Sequence, residues 1–370
     1  MVKEEIKCVY FVLATRFPTE KAYGTTTEFS AQAVNKLGYK TAVITSFKDK
    51  DLDSEVEVVQ VGTTLRNLLF PASGKYLASQ RFGFFRILFA ALVKSRFKAT
   101  GNLFWTRDLL VAFILGFGGK RKVVCELHRT PKNFNLNILQ RLSKMKNVAI
   151  CPISSFLSER FPDDYRNTVI AGMAVRSEDL CDKESIGFRS NSIVYLGNSS
   201  SSGILLDYNF INEVAHKLFA SHKDWAVKII GIDGLEFEDL SRREVSPNIE
   251  ILGRLNHFDA MRELEKASIG LVIYPDSDYF RDSFPIKIVE YASKGLAIVA
   301  SDTTAHRRIL TEELCIFYKF DLVDDLLQAL TTLIGEERLR VSLSEKARVW
   351  AEQRTYTNRV AKVLDFVSGV

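Results

Sequence analysis

The sequence predicts an α/β protein made of two doubly wound, parallel-sheet domains that face each other across a cleft, with a helical C-terminus. Three observations predict it. Twelve short apolar runs rich in β-branched residues alternate with amphipathic stretches of helical spacing, the pattern of parallel strands joined by crossover helices. A polar segment, RSEDLCDKESIGFRSNS at 176–192, interrupts the pattern halfway and reads as a linker. The length, 370 residues, suits two domains at about 100–200 residues each. The expected boundaries are 1–180 for the first domain and 190–345 for the second, with 346–370 as a C-terminal helix packing back toward the first.

In chain order, IKCVYFVLA (6–14), TAVITSF (41–47), VEVVQVG (56–62), NLFWT (102–106), KVVCELH (122–128) and VAICPIS (148–154) are the expected strands of a first sheet. Between the first two, TTTEFSAQAVNKLG (25–38) places Phe29, Ala33, Val34 and Leu37 at helical spacing, with Gly38 as its stop and a Gly-Thr-rich turn at its opening. SIVYLGN (192–198), AVKIIGI (226–232), IEILGRL (249–255), IGLVIYP (269–275), LAIVASD (296–302) and CIFYKF (315–320) follow as a second set. Residues 322–368 read as wholly helical. Open parallel sheets place ligands at the carboxyl ends of their strands, so chemistry is expected in the loops after these strands.

Composition narrows the function classes. With 46% apolar and 26% charged residues the chain is an ordinary globular one, not a disordered tail or a fibrous repeat. Five scattered cysteines without a CxxC pair indicate neither a disulfide framework nor a zinc site and suit a reducing compartment. The N-terminal MVKEEIKCVYFVLATRFP carries acids in its charged part and no small-residue cleavage site, so no signal peptide is expected. LLVAFILGFGG (109–119) is too short to span a bilayer.

Charge is unevenly spread. Residues 1–180 hold 27 Lys/Arg against 16 Asp/Glu, and residues 181–370 hold 23 against 29. Within 58–146, 16 basic residues meet only Asp108 and Glu126, a patch that suits nucleic acid, anionic lipid or an anionic substrate. No nucleic-acid fold pattern accompanies it, so nucleic acid is not an expected partner. RFGFFRILFAALVKSRFKATG (81–101) interleaves Arg81, Arg86, Lys94, Arg96 and Lys98 with five phenylalanines. Two readings stand for 81–98: a basic aromatic helix on an anionic membrane surface, or a core-facing crossover helix with snorkelling cations.

The most informative stretch is DSFPIKIVEYASKGLAIVASD (282–302). Ser283 is a candidate helix cap and Pro285 an early helical residue, so backbone N–H groups near 283–287, including that of Phe284, can face a phosphate. Lys287 adds a cation, and Glu290, about a turn on, can accept hydrogen bonds from ribose hydroxyls. By spacing alone, a capped amphipathic helix with solvated Lys and Glu serves as well. His128 stands at a sheet's carboxyl edge, where a lone His is more often a structural hydrogen-bonder, and Glu126 beside it reads as a strand-end structural residue. Gly24, in KAYGTTTE (21–28), allows close approach of a ligand to backbone; the alternative is an ordinary turn with a Thr cap. Arg107 and Asp108 either line the cleft or form a surface ion pair.

PIKIVEYASKGLAIVASD resembles the PxKxxEYxAxGxPVxASD variant of the signature of family 4 glycosyltransferases, whose usual form has two glutamates separated by seven residues. Glu290 matches the second glutamate, and Asp282, eight residues earlier, falls at the first. YLGN (195–198), IIGIDG (229–234) and ILGRLNHFDAMRELEKASIGLVIYP (251–275) are similar to donor-domain segments of that family. FPTEKAYGTTTEFSAQAVNKLGYKTAVIT (17–45), WTRD (105–108), CELH (125–128) and PISSFL (152–157) are similar to its acceptor-domain landmarks.

The resemblance implies the GT-B fold of two Rossmann-like domains, the second holding a nucleoside-diphosphate sugar and the first the acceptor. It implies transfer of a hexose to a saccharide or lipid-linked acceptor in surface polysaccharide or glycoconjugate biosynthesis. Anomeric configuration would be retained, with no metal and no bound cofactor beyond the donor substrate. The implied location is cytoplasmic, at or near the inner face of the membrane. Glu290 is then placed on the ribose, Asp282 on sugar hydroxyls, His128 beside the transferred sugar, and Gly24 on donor phosphate or acceptor. Arg254, Lys287 and the 283–287 backbone fall to the leaving diphosphate. One departure stands out. The family's Arg and Lys after the first donor-domain strand are replaced by Asn198 and Gly203 within NSSSSG, so Asn198 and Ser199 offer only amide and hydroxyl groups, and the cation must come from Lys287, Arg254 or Arg281. That loss supports an alternative, a non-catalytic GT-B-like subunit that binds a glycan or partner; a sugar-nucleotide epimerase of the same fold matches the signature less well.

Overall fold

A computed structural model of the chain describes residues 5–19, 22–49, 53–61, 83–161, 165, 167–187, 189–197, 208–232, 244–282 and 284–369. The chain divides into two units, Met1–Met173 with Tyr356–Val370, and Ala174–Thr355.

In the first unit, β1 (Cys8–Phe17), β2 (Lys40–Lys48), β3 (Val58–Gln60), β4 (Asn102–Thr106), β5 (Lys122–Leu127) and β6 (Val148–Pro152) form one sheet in the order β3-β2-β1-β4-β5-β6. Every pairing is parallel. Helices α1 (Ala22–Lys36), α2 (Gly83–Arg96), α3 (Leu109–Gly116), α4 (Phe134–Leu142) and the short α5 (Ser155–Ser158) connect the strands or follow them. The order reverses between β1 and β4, which makes their carboxyl ends the topological switch point. β6 is buried at all five positions, and this two-sided burial is why such strands read as continuous apolar runs rather than alternating ones.

The second unit repeats the plan. β7 (Ser192–Leu196), β8 (Ala226–Ile230), β9 (Ile249–Gly253), β10 (Ile269–Val272), β11 (Ala297–Ser301) and β12 (Cys315–Tyr318) are parallel in the order β12-β11-β10-β7-β8-β9. Its helices are α6 (Tyr208–Ser221), α7 (His257–Lys266), α8 (Asp278–Arg281), α9 (Ile286–Ser293), α10 (Thr304–Arg307), α11 (Val323–Gly335) and α12 (Glu337–Glu352). On one face, Ile211 and Leu218 of α6 and Leu326 and Leu330 of α11 pack on Ile193, Leu271 and Val299 of the sheet. The last helix, α13 (Tyr356–Gly369), belongs to the first unit, where Tyr356 meets Phe29 of α1 edge to face.

Three segments differ from expectation. The stretch at 322–368 is three helices, interrupted at Glu336 and at 353–355. Residues 176–187 are no free linker: Ser177–Asp179 and Lys183–Gly187 are 3-10 turns bound within the second unit. Arg176 clamps Asp179 with two hydrogen bonds of 2.6 and 2.9 Å, Cys181 N–H donates to Ser293 O at 2.9 Å, and Arg348 Nε donates to Cys181 O. The Gly-Thr-rich turn ahead of α1 is instead its first turn. Thr27 Oγ1 donates to Tyr23 O at 2.7 Å and Ser30 Oγ to Thr26 O at 2.7 Å, so the hydroxyls are absorbed by the helix's own carbonyls.

Gly24 lies in that turn, and a Cβ there would stand 2.5 Å from Thr19 O and 2.4 Å from Thr19 Cγ2. Its lack of a side chain is therefore needed for packing inside the turn. Gly24→Ala is expected to cost about 1–3 kcal/mol of stability through overpacking, read as a lower thermal midpoint; an unchanged midpoint would show that the turn relaxes freely.

Candidate active site

The site in the second unit is assembled on α9. Its N-cap is Pro285 (φ −64°, ψ 117°), one residue short of the helical position expected for it, because that extended ψ keeps it out of the helix. A proline ring has no group that can cap, so α9 begins without help from that side chain.

Lys287 and Glu290 stand three apart on α9 and are both buried, at 6% and 7% exposure. They diverge. Lys287 sends its Nζ to the carboxyl end of β7, 4.4 Å from the Tyr195 ring centroid and 4.8 Å from that of Tyr274. A Cβ on Gly197, the residue after β7, would lie 2.8 Å from this Nζ, so the glycine lets the ammonium reach the strand end. Burial pulls the Lys287 pKa down, but the surrounding phenol groups of Tyr195, Tyr274 and Tyr291 more than offset it, and the net shift is upward. The neighbouring Tyr291 locks α9 to the sheet: its hydroxyl accepts from Leu196 N–H at 2.7 Å and donates to Leu271 O at 3.3 Å.

Glu290 faces the start of α7 instead. His257 Nδ1 lies 3.9 Å from Glu290 Oε1, and His257 Nε2 lies 3.5 Å from Asp179 Oδ2. Burial raises the Glu290 pKa, with the charges of His257 and Lys287 acting against it. Asp179, in contrast, is held down at about 2: burial raises it, but hydrogen bonds from His257 and Arg176 win.

The other expected residues of this unit lie on separate elements. Arg254 is exposed directly after β9, Asp282 is the half-buried C-cap of α8, and Phe284 is half-buried just before Pro285. Asn198, Ser199 and Ser283, along with Gly203, lie outside the described residues.

In the first unit, His128 directly follows β5 and Glu126 is the strand's penultimate residue, 2% exposed. Glu126 Oε1 meets Arg107 at 3.0 Å and His128 Nε2 at 2.5 Å; Glu126 Oε2 meets Trp105 Nε1 at 3.0 Å and Arg359 at 2.6 Å. Burial favours the protonated carboxyl, but Arg107 and Arg359 override it and hold the pKa well below the usual range. The His128 pKa is lowered, first by burial and then by Arg107. Arg107 also donates to Thr26 Oγ1 at 2.7 Å, and so is built into the strand ends rather than into a pair with Asp108. Asp108 caps α3 and pairs with Arg86.

His257, Asp179, Tyr195, Tyr291 and Arg359 were not singled out from sequence. His257, Tyr195 and Tyr291 lie inside the family-like stretches RLNHFDAM, YLGN and PIKIVEYASKG; Asp179 and Arg359 are brought in by tertiary contacts.

Residues 207–350 match the model of a family described as Glycosyl transferases group 1. No curated protein matches the chain in sequence. Among solved structures, a glycosyltransferase from Rickettsia africae superposes with a TM-score of 0.70 at 14% identity, covering 98% of both chains. HepE from Anabaena, solved with UDP and glucose, gives 0.68 at 12% identity over 98% of this chain and 100% of that one. TarM from S. aureus, solved with fondaparinux, α-GlcNAc-glycerol and UDP, gives 0.69 at 9% identity over 97% and 99%. The fold is that of the GT-B glycosyltransferases, and the family match falls on the unit that carries Lys287 and Glu290.

Proposed function

We propose that the protein is a retaining, metal-independent glycosyltransferase that moves a hexose from a nucleoside-diphosphate sugar to a saccharide or lipid-linked acceptor in surface polysaccharide or glycoconjugate assembly. The observation that carries this is the buried pair Lys287 and Glu290, set on one helix at the carboxyl end of β7 within the family-matched segment. Cleavage of a sugar–diphosphate bond leaves negative charge on the diphosphate and an oxocarbenium-like sugar. Lys287, aided by Arg254 and the backbone of 283–287, offsets the first; a cation already desolvated needs little reorganisation as that charge develops. Glu290 accepts from the ribose hydroxyls, Asp282 from the sugar's, and His128 contacts the transferred sugar. Asn198 and Ser199 contribute amide and hydroxyl groups to the phosphates, and Gly24 contacts donor phosphate or acceptor. UDP in the structural neighbours HepE and TarM supports a nucleotide as the ligand.

Incubation with UDP-, GDP- and ADP-hexoses and a panel of saccharide and lipid-linked acceptors tests the reading. The product's anomeric configuration, read by NMR, is expected to match the donor's. Transfer to any acceptor excludes a non-catalytic subunit; donor binding with no transfer to any of them would favour one.

We propose further that the protein works in the cytoplasm at an anionic membrane face, held by the outer side of α2. Phe84 is 63% exposed there, Ile87 42%, and Phe117, beyond α3, 64%. The cations are fewer than sequence implied. Arg86 is tied to Asp108 at 3.0 Å, and Lys94 donates to the carbonyls of Ile114 and Phe117 at 2.9 and 2.6 Å, capping the end of α3. Arg81 lies outside the described residues, while Arg96 and Lys98 are exposed. The two exposed cations among the described residues of this segment, at roughly 1 kcal/mol each, predict weak, salt-sensitive binding. Flotation with anionic vesicles is expected to fall on Arg96→Glu with Lys98→Glu and on Phe84→Ser; equal flotation of all forms would leave α2 as core packing. Among the described residues, no helix is long and apolar enough to cross a membrane.

A further inference from the structure

Glu126 carries more charge than closing a strand requires. It gathers Arg107, Arg359, His128 and the Trp105 indole on one buried carboxylate. Arg359 is itself 6% exposed, and its remaining N–H groups donate to Ser30 Oγ and Gly172 O, each at 3.0 Å. One guanidinium thus ties α13 to α1, to the chain after β6, and to the end of β5. Buried ion pairs are often no more stabilising than apolar packing of the same volume, so a fixed geometry is the benefit that remains to be explained.

The two arginines keep Glu126 ionised, so it only accepts. The hydrogen in its 2.5 Å contact with His128 therefore sits on Nε2. In a neutral imidazole that leaves Nδ1 with a lone pair and no proton.

We propose that Glu126 and Arg359 are positioning residues for His128: the carboxylate, fixed by the C-terminal helix, locks the imidazole as its Nε2–H tautomer and leaves Nδ1 to accept a hydrogen bond from a hydroxyl of the transferred sugar. The identity of that hydroxyl rests on the glycosyltransferase reading, whereas the tautomer does not. The chain's return to the first unit at Tyr356 then matters for chemistry, because the site is incomplete until α13 has docked.

Nitrogen-15 NMR of the full chain with labelled histidine, His128 assigned by His128→Gln, reads the tautomer without substrate. The wild type is expected to show Nε2–H from about pH 6 to about pH 8. Glu126→Gln, whose amide can donate to the ring, should shift it toward Nδ1–H. The same variant should lose about ten- to a hundredfold in turnover, with nucleotide affinity unchanged within about twofold. Arg359→Lys, which keeps the charge but not the three-pronged fork, should retain more turnover than Arg359→Met. An Nδ1–H tautomer in the wild type, or wild-type tautomer and turnover in Glu126→Gln, overturns the proposal. Should the variants fail to fold, the wild-type spectrum still decides. An Nε2–H tautomer in a protein that binds no nucleotide would count against the glycosyltransferase reading alone.

Discussion

Lys287→Met is expected to lower turnover by about 10²–10³-fold while the protein stays folded, the scale seen when one preorganised stabiliser of developing negative charge is removed. The methionine keeps most of the apolar stem, so the change isolates the charge. In the wild type the ammonium is buried between Tyr195 and Tyr274 and lies beside Gly197. With no charged residue at 198 or 203, the leaving charge falls to Lys287 aided by Arg254. Single-turnover kinetics with matched circular dichroism check this. A loss under about threefold would reassign Lys287 to packing among the tyrosines.

Glu290→Gln is expected to weaken nucleotide binding by about ten- to a hundredfold, from the roughly 1.5–3 kcal/mol that a charge-assisted hydrogen bond carries. The wild type should also show a pH dependence that the variant lacks. Burial raises the Glu290 pKa, so protonation sets in at a higher pH than for an ordinary glutamate. A protonated carboxyl accepts less well, so affinity should fall as pH drops from about 7 to about 5 and stay flat in Glu290→Gln. Calorimetric titration at several pH values reads both. Equal affinity in a folded variant would take Glu290 off the ribose.

The sequence and the structure agree best where the information is local. All twelve expected strands are present, because sheets buried on both faces force whole segments to be apolar and β-branched. Lys287 and Glu290 were singled out by the resemblance of their stretch to the glycosyltransferase signature, since by spacing alone a solvated Lys and Glu serve as well; the structure buries both and sends them to different partners. The start of α1 was not: a glycine and three threonines look like a turn until Thr27 and Ser30 are seen bonding to the helix's own carbonyls. Arg359 left no sequence trace and Glu126 read only as a strand-end structural residue, since their pairing depends on a helix that rejoins the first unit only after the whole second unit has been built. Asp179 and His257 are 78 residues apart and meet only because the expected linker packs onto the second unit.

The central claim is that the second unit binds a nucleoside diphosphate through Glu290. Thermal unfolding of wild type and Glu290→Gln with UDP, GDP, ADP and their sugars tests it most directly. At least one ligand should stabilise the wild type by about 2.7 kcal/mol at a hundred times its dissociation constant, and the same concentration should stabilise the variant far less. No stabilisation by any of these ligands, or equal stabilisation of both forms, would contradict the account.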